Sequence, residues 1–408
     1  MRTESSDLTE AATTAPAIPP APPSRAGVSG LLRGDLGQLP VIATLVVIAV
    51  FFEVITGGAF LRSRNITELI GEIITIGTLA LGASLILIIR EIDLSLAAVS
   101  GLGAAAMVVL STRYGMPAVV AIGGALLVGL LVGAINGFFV AVVRIPAFIV
   151  TLSASIGYQG LLLHILLPQS TIPVRDPTVL SLAVTYLPDW LGVGLPVVGL
   201  ALYALSLVRE RASRQRAGLP VPGAAELGLR IGIAAVVVLG VVALLESYRG
   251  VPLSATILIA MIVVMWLVTR RTRFGRHIYA VGGNNEAARR AGINVTQIRI
   301  AVFMLTSLFA TVGGVLQSSR ALSVASAIDP TLILNALAAP IIGGVSLFGG
   351  RGSVWSVVIG ALIVGSLING LALTGQGTDV EQMVEGAVLL VAVVVDALIR
   401  RRNATGLR

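Results

Sequence analysis

The chain has 408 residues, 56% of them hydrophobic and only 12% charged, with a mean hydropathy of +0.97 and a formal net charge of +8. That is too little polar surface to clothe a water-soluble globule of this size, so the sequence belongs in a bilayer. All 28 basic residues are arginine, cysteine is absent and histidine occurs only as His164 and His277, which removes a P-loop lysine, Schiff-base chemistry, thiol catalysis, iron–sulfur clusters and a histidine-rich zinc site.

Residues 1–38 are rich in Ala, Pro, Ser and Thr, with Pro16, Pro19, Pro20, Pro22 and Pro23 close together, and are expected to form a disordered tail. The first apolar run starts near Leu39, too far in for a secretory signal, and is expected to be a retained span. Apolar stretches able to cross roughly 30 Å of hydrocarbon follow at about 36–55, 69–89, 94–110, 117–140, 146–166, 190–208, 229–245, 253–268, 298–316, 331–347, 354–373 and 383–399. The expected fold is therefore an all-α polytopic bundle of about 10–12 spans. It comprises the tail 1–38, a transmembrane domain 39–399 interrupted by a polar loop 270–299, and a basic tail 400–408.

If all twelve stretches cross, 22 of the 28 arginines lie on the side of both termini, and only Arg62, Arg64, Arg113, Arg175, Arg249 and Arg320 lie opposite. Arginine-rich short loops are retained in the cytoplasm during insertion, so both termini are expected there. Ten crossings with two re-entrant pieces would keep the same parity. The arginines sit in loops between apolar runs rather than on one soluble face, so the positive charge does not indicate a nucleic-acid partner. Anionic lipid headgroups are the nonspecific partner it suits.

Several motifs stand out in chain order. Glu72 and Glu385 are the acids that look deepest within spans, where ionisable groups default to functional candidates. In Arg90–Ser95, Asp93 precedes a helical run and is expected to act as an N-cap, with Ser95 beside it in a capping or structural role. Gly129, Gly133 and Gly137 repeat every four residues, a spacing that favours close helix packing in lipid, and Gly360 and Gly365 suggest the same. Asn136 lies within that glycine face, as interhelical glue or as a pathway group. Pro146 is placed at the start of the next span, where its missing N–H costs nothing.

The segment 273–294, RFGRHIYAVGGNNEAARRAGIN, is polar and basic between two apolar runs. A Gly282–Gly283 turn should lead to a short helix over Glu286–Ala291, capped by Asn284 or Asn285. The surface Gly282, Gly283, Asn284, Asn285, Glu286, Ala287, Ala288, Arg289 and Arg290 is a natural grip for a soluble partner. SLFGGRGS at 346–353 lacks the lysine of a phosphate loop and is expected to be a tight turn.

Taken together, EIDLS at Glu91, RIPAFIVTL at Arg144, GGNNEAARRAGI at Gly282 and IGGVSLFGGRGSV at Ile342 resemble the permease subunits of bacterial ABC sugar importers of the xylose and ribose type. The Glu before Ile-Asp-Leu-Ser and the extra central spans lean towards the xylose type. The resemblance covers about 66–165 and 270–398. Many relatives carry Gly-Gly in place of Arg90–Glu91 and a second Pro in place of Ala147, and the region 169–268 matches poorly.

The resemblance implies a non-enzymatic, homodimeric pore in the bacterial cell membrane. It would be fed by an extracytoplasmic sugar-binding protein and driven by a cytoplasmic ATPase with tandem cassettes, with ATP bound by that partner and no cofactor on this chain. Residues 282–290 would then form the coupling helix. A passing sugar needs hydrogen-bond partners but few fixed charges, which makes Asn136, Asn369 and Gln317 candidates for the pathway. The rival expectation is a proton-coupled secondary transporter using Glu72 or Glu385.

Overall fold

The computed structural model describes residues 39–221 and 223–405; the tail expected over 1–38 and the last three residues of the basic tail lie outside them. The described chain is a helical bundle: α1 Leu39–Ile55, α2 Ser63–Ile88, α3 Leu96–Val108 with a π-turn Val109–Arg113, α4 Ala118–Ala141 and α5 Ala147–Leu166. Then come α6 Pro177–Val184, α7 Asp189–Arg216, α8 Ala224–Glu246, α9 Leu253–Arg271, α10 Arg273–Gly283, α11 Asn285–Arg290, α12 Val295–Ala321, α13 Thr331–Ile342, α14 Ser356–Leu373 and α15 Thr378–Thr405. One two-stranded antiparallel ribbon pairs β1, Thr171–Pro173, with β2, Ser323–Ala325.

Among the described residues nine helices are long and apolar enough to cross a membrane, with α1 and α13 shorter. Every apolar stretch of the sequence has become a helix; several helices run past the stretch, and one falls well short of it. The stretch expected over 331–347 is helical only to Ile342, because Gly344 takes a φ of 100° and turns the chain. Twelve residues span only about 18 Å at 1.5 Å each, so α13 cannot cross by itself.

The centre of the bundle is made by α2 and α12. The most apolar stretch of α2 is 83% buried, against 6% for α7 and for α8, which pair with each other at the periphery. Without a hydrophobic drive between helices in lipid, close packing depends on small side chains. A Cβ on Gly133 would stand 2.6 Å from Met304 Cα, one on Gly137 would stand 2.9 Å from Ile300 Cα, and one on Gly129 would overlap Thr311. The glycine face of α4 is therefore the surface on which the α12 backbone lies. Gly360 meets the Ala339 carbonyl of α13 in the same way, and Gly365 meets Ile73 of α2.

Helix ends are satisfied by long-range partners as well as local ones. The Arg113 guanidinium donates to the carbonyls of Ile165, Leu166 and Leu167, serving the open C-terminus of α5 with a cation where the dipole favours one. Pro146 holds the N-cap position of α5, one residue before the helix begins.

Candidate functional site

Three of the sequence motifs meet at one end of the bundle. After α2 the chain turns at Arg90, whose φ of 66° is left-handed, and the Arg90 guanidinium donates to the Gly283 carbonyl at the end of α10. A Cβ on Gly282 would run into the Ile88 carbonyl and come within 2.8 Å of the Gly350 amide. Gly350 donates its own N–H to the Ile88 carbonyl at 2.9 Å, and the Tyr279 hydroxyl donates to the Gly352 carbonyl at 2.9 Å. The end of α2, the end of α10 and the 344–353 turn thus form one backbone-to-backbone junction. It leaves no room for side chains at Gly282 and places φ of 74° and 71° at Gly349 and Gly350.

The paired glycines do not form the expected turn. They are the last residues of α10, which begins at Arg273 with Thr272 as its N-cap, accepting from the Gly275 N–H at 3.1 Å. The short helix that follows starts at Asn285. Asn284 caps it, with Oδ1 accepting from the N–H groups of Glu286 and Ala287 at 3.0 Å each. Ala288 faces the bundle and is buried, whereas Glu286, Ala287, Arg289 and Arg290 are exposed. The Glu286–Arg290 pair on this face, at 3.5 Å, is solvated and contributes little to stability.

Beside this helix lies a cavity of roughly 240 Å³ whose charged lining is Glu91, Arg144, Arg289 and Arg299. Arg299 Nη2 reaches Glu91 Oε1 at 3.1 Å. With its amide turned to satisfy both ends, Asn285 accepts from the same Nη2 at 2.7 Å and donates to the Val281 carbonyl. Burial pushes the Glu91 carboxyl above its ordinary value, and the Arg299 charge offsets only part of that. Arg144, like Arg90, closes its turn with a left-handed φ of 67°. The second motif, RIPAF, therefore lines the same cavity as the first and third.

Asp93 lies deeper. The sequence places it at an N-cap, but the structure sets it two residues before the cap position of α3, which Ser95 occupies without a side-chain cap bond. Asp93 Oδ1 instead accepts from the N–H and the hydroxyl of Ser95, at 2.8 and 2.6 Å. The residue is fully buried, its Oδ2 has no protein partner, and burial raises its pKa against the pull of the Ser95 bonds. Asn136 of α4 donates to Ser95 Oγ at 3.1 Å and accepts from the Tyr158 hydroxyl at 2.8 Å, so here it ties α3, α4 and α5 together. The Leu94 amide donates to Thr151 Oγ1 at 3.0 Å, completing a polar knot around the break.

The other two pathway candidates stand at the far end of α2. The Thr75 hydroxyl donates to Gln317 Oε1 at 2.7 Å, and Arg320 Nη2 reaches Glu72 Oε1 at 3.5 Å. Asn369 lies next to Glu72 and accepts from Asn65 Nδ2 at 2.8 Å. Gln317 and Asn369 are thus brought into one polar group with Glu72, while Asn136 lies apart from it. Glu385, the other deep acid, accepts from Asn335 Nδ2 at 2.9 Å. Among the described residues no three His, Cys, Asp or Glu side chains gather as metal ligands would.

The sequence missed Arg299, Arg320 and Tyr158. Their signal was faint: Arg299 and Arg320 open and close the α12 stretch, and a tyrosine inside an apolar run needs a partner for its hydroxyl.

The family described as branched-chain amino acid transport system / permease component matches residues 65–393. The xylose transport system permease protein XylH of Escherichia coli (strain K12) is 37% identical over 381 residues, covering 93% of this chain and 97% of the relative. The fructose import permease protein FrcC of Rhizobium meliloti is 30% identical over 91% of this chain and 88% of its own length, and the ribose import permease protein RbsC of E. coli (strain K12) is 30% identical over 88% and 93%. No solved structure matches the chain. With the match running from α2 into α15 and through every motif at the two ends, the chain belongs to this family of ABC-importer permease components, multi-pass proteins of the inner membrane.

Proposed function

We propose that the chain is the membrane subunit of an ATP-driven importer for a monosaccharide, a pentose such as xylose. It works as a homodimer between an extracytoplasmic sugar-binding protein and a cytoplasmic ATPase with tandem cassettes. The end carrying Arg90, Arg144 and α10–α11 faces the cytoplasm, as do both termini, and α11 is the coupling helix.

The observation that carries this is the junction of Ile88–Arg90, Gly282–Gly283 and Gly349–Gly350. A force applied to the exposed side of α11 reaches the end of α2 and the turn before α14 together, through backbone contacts that have no slack. The chain lacks the lysine that a nucleotide-binding loop needs, which supports ATP hydrolysis on a separate partner. The relatives named for xylose, ribose and fructose support a sugar as cargo, and the identity to the xylose permease favours a pentose.

Ala287→Arg tests the coupling role, because Ala287 is exposed on α11 and a long side chain there obstructs docking without entering the core. The expected outcome is unchanged thermal stability with loss of ATP-dependent xylose uptake in vesicles that also hold the ATPase and the binding protein. Uptake equal to that of the unsubstituted chain counts against α11 as the coupling helix. Uptake that collapses with an uncoupler at constant ATP counts against ATP as the energy source.

A further inference from the structure

A second cavity, of roughly 180 Å³, opens along the second to fourth turns of α2, at the end away from the coupling junction. Its polar lining includes Glu68, Thr75, Tyr186, Arg249, Ser254 and Arg320. From Thr67 to Thr75 it follows about 12 Å of helix at 1.5 Å per residue. Its volume corresponds to about six waters at the ~30 Å³ each occupies in the liquid.

Two properties set its ligand chemistry. The charges balance: Glu68 in the wall and Glu72 behind it face Arg249 and Arg320, so neither an anion nor a cation is favoured as such. The groups are also planar or hydroxylic, with spare valence. Arg320 meets Glu72 at a loose 3.5 Å, and the Thr75 hydroxyl, oriented by donating to Gln317, keeps its acceptor lone pairs. Carboxylates and guanidinium groups present paired acceptors and paired donors, which match adjacent hydroxyls on a neutral ring. Tyr186 adds an aromatic wall; the Arg249 guanidinium stands 6.0 Å from its ring centroid. A cavity of this volume suits a small solute better than a protein surface.

We propose that this cavity is a monosaccharide site at the outer mouth of the pathway. Glu68, Thr75 and Arg320 bond the sugar hydroxyls and Tyr186 covers one side of the ring. The site selects for hydroxyl pattern after the binding protein has released its sugar. This rests on the importer function proposed above.

The test uses the whole transporter in liposomes, with labelled xylose and a deoxy analogue as probes. Glu68→Gln and Thr75→Val are expected to lower xylose transport per ATP hydrolysed by about 10-fold, the scale of one lost hydrogen bond to a substrate hydroxyl. They should also narrow the preference for xylose over the deoxy sugar, while ATPase stimulation by the sugar-loaded binding protein is retained. Thr75→Ser, which keeps the hydroxyl, should restore transport. Glu68 is exposed, so its variant keeps the test decisive even where a Thr75 variant fails to fold.

Xylose transport and sugar preference equal to the unsubstituted protein in Glu68→Gln would overturn the sugar site and leave the importer function standing. Loss of ATPase stimulation in that variant would also overturn it, assigning the cavity to docking of the binding protein. A lack of ATP-dependent xylose uptake by the unsubstituted transporter would instead remove the importer function itself.

Discussion

The two ends of α2 hold cavities of similar size but different electrostatic character, one net positive and one balanced. At the Arg90 end three guanidinium groups, Arg144, Arg289 and Arg299, surround one carboxylate, Glu91. At the Ser63 end acids and arginines are matched, and hydroxyls and an aromatic ring complete the wall. A net positive cavity beside an exposed helix suits a macromolecular surface with acidic groups, whereas a balanced one suits a small neutral solute that must leave again. Under the proposals above, one helix would join a mechanical end to a selective end.

The largest effect is expected where the mechanical end is tightest. Gly282→Ala drives a methyl group into the Ile88 carbonyl and the Gly350 amide, both backbone, and should lower stability by about 3 kcal/mol, at the upper end of overpacking costs. Gly283→Ala meets nothing within 4 Å and should stay within about 0.5 kcal/mol of the unsubstituted chain. Thermal unfolding of the two variants in the same detergent checks the contrast, and similar melting temperatures would break it.

A smaller effect is expected at Asn284. Replacing it with Ala removes the acceptor for two amides and should cost about 1 kcal/mol, localised to α11. Hydrogen exchange should rise across 285–290 and stay unchanged along α2, and sugar selectivity at the opposite cavity should be preserved.

The smallest effect concerns Glu91. Because burial raises its pKa above the ordinary 4.5, the folded state holds its proton more tightly than the unfolded state does. Its contribution is therefore most favourable below pH 4.5 and declines as pH rises from 4.5 through the raised folded value. Glu91→Gln mimics the protonated form. With the titrating group gone, that segment of the stability–pH curve should flatten. Unfolding measured from pH 4 to pH 8 decides it; a marked loss at pH 7 would mean the ion pair outweighs its burial.

Hydropathy alone located all the helices of the bundle core, because a long apolar run in this composition has few alternatives to a membrane helix. It placed their ends less well. The polar first turns of α2 and the Arg273–Gly283 helix are not apolar, so they do not register as spans, and a Gly-Gly pair reads as a turn unless something holds it helical. At Gly283 that something is the Arg90 guanidinium, which donates to its carbonyl from nearly two hundred residues away in sequence.

The sites divide in the same way. The Asn284 cap follows from local chemistry and was legible. The partnerships Glu91–Arg299, Thr75–Gln317, Glu72–Arg320 and Asn136 with Ser95 and Tyr158 each join distant segments, and one sequence carries no record of them. Asn369 and Gln317 are candidates because a passing sugar needs uncharged hydrogen-bond partners, but their common neighbourhood comes only from the packing of α2, α12 and α14.

The long peripheral helix α7 acts as a ruler. Its 28 residues extend about 42 Å at 1.5 Å each, about 12 Å more than the ~30 Å of hydrocarbon. That excess is eight residues, and the last eight, Arg209–Arg216, contain four of the chain's arginines and the solvent-exposed Glu210–Arg214 pair. The oily part thus ends at Val208, and its 20 residues, about 30 Å, match the hydrocarbon thickness, so the arginine-rich last two turns of α7 are left for the headgroups and water.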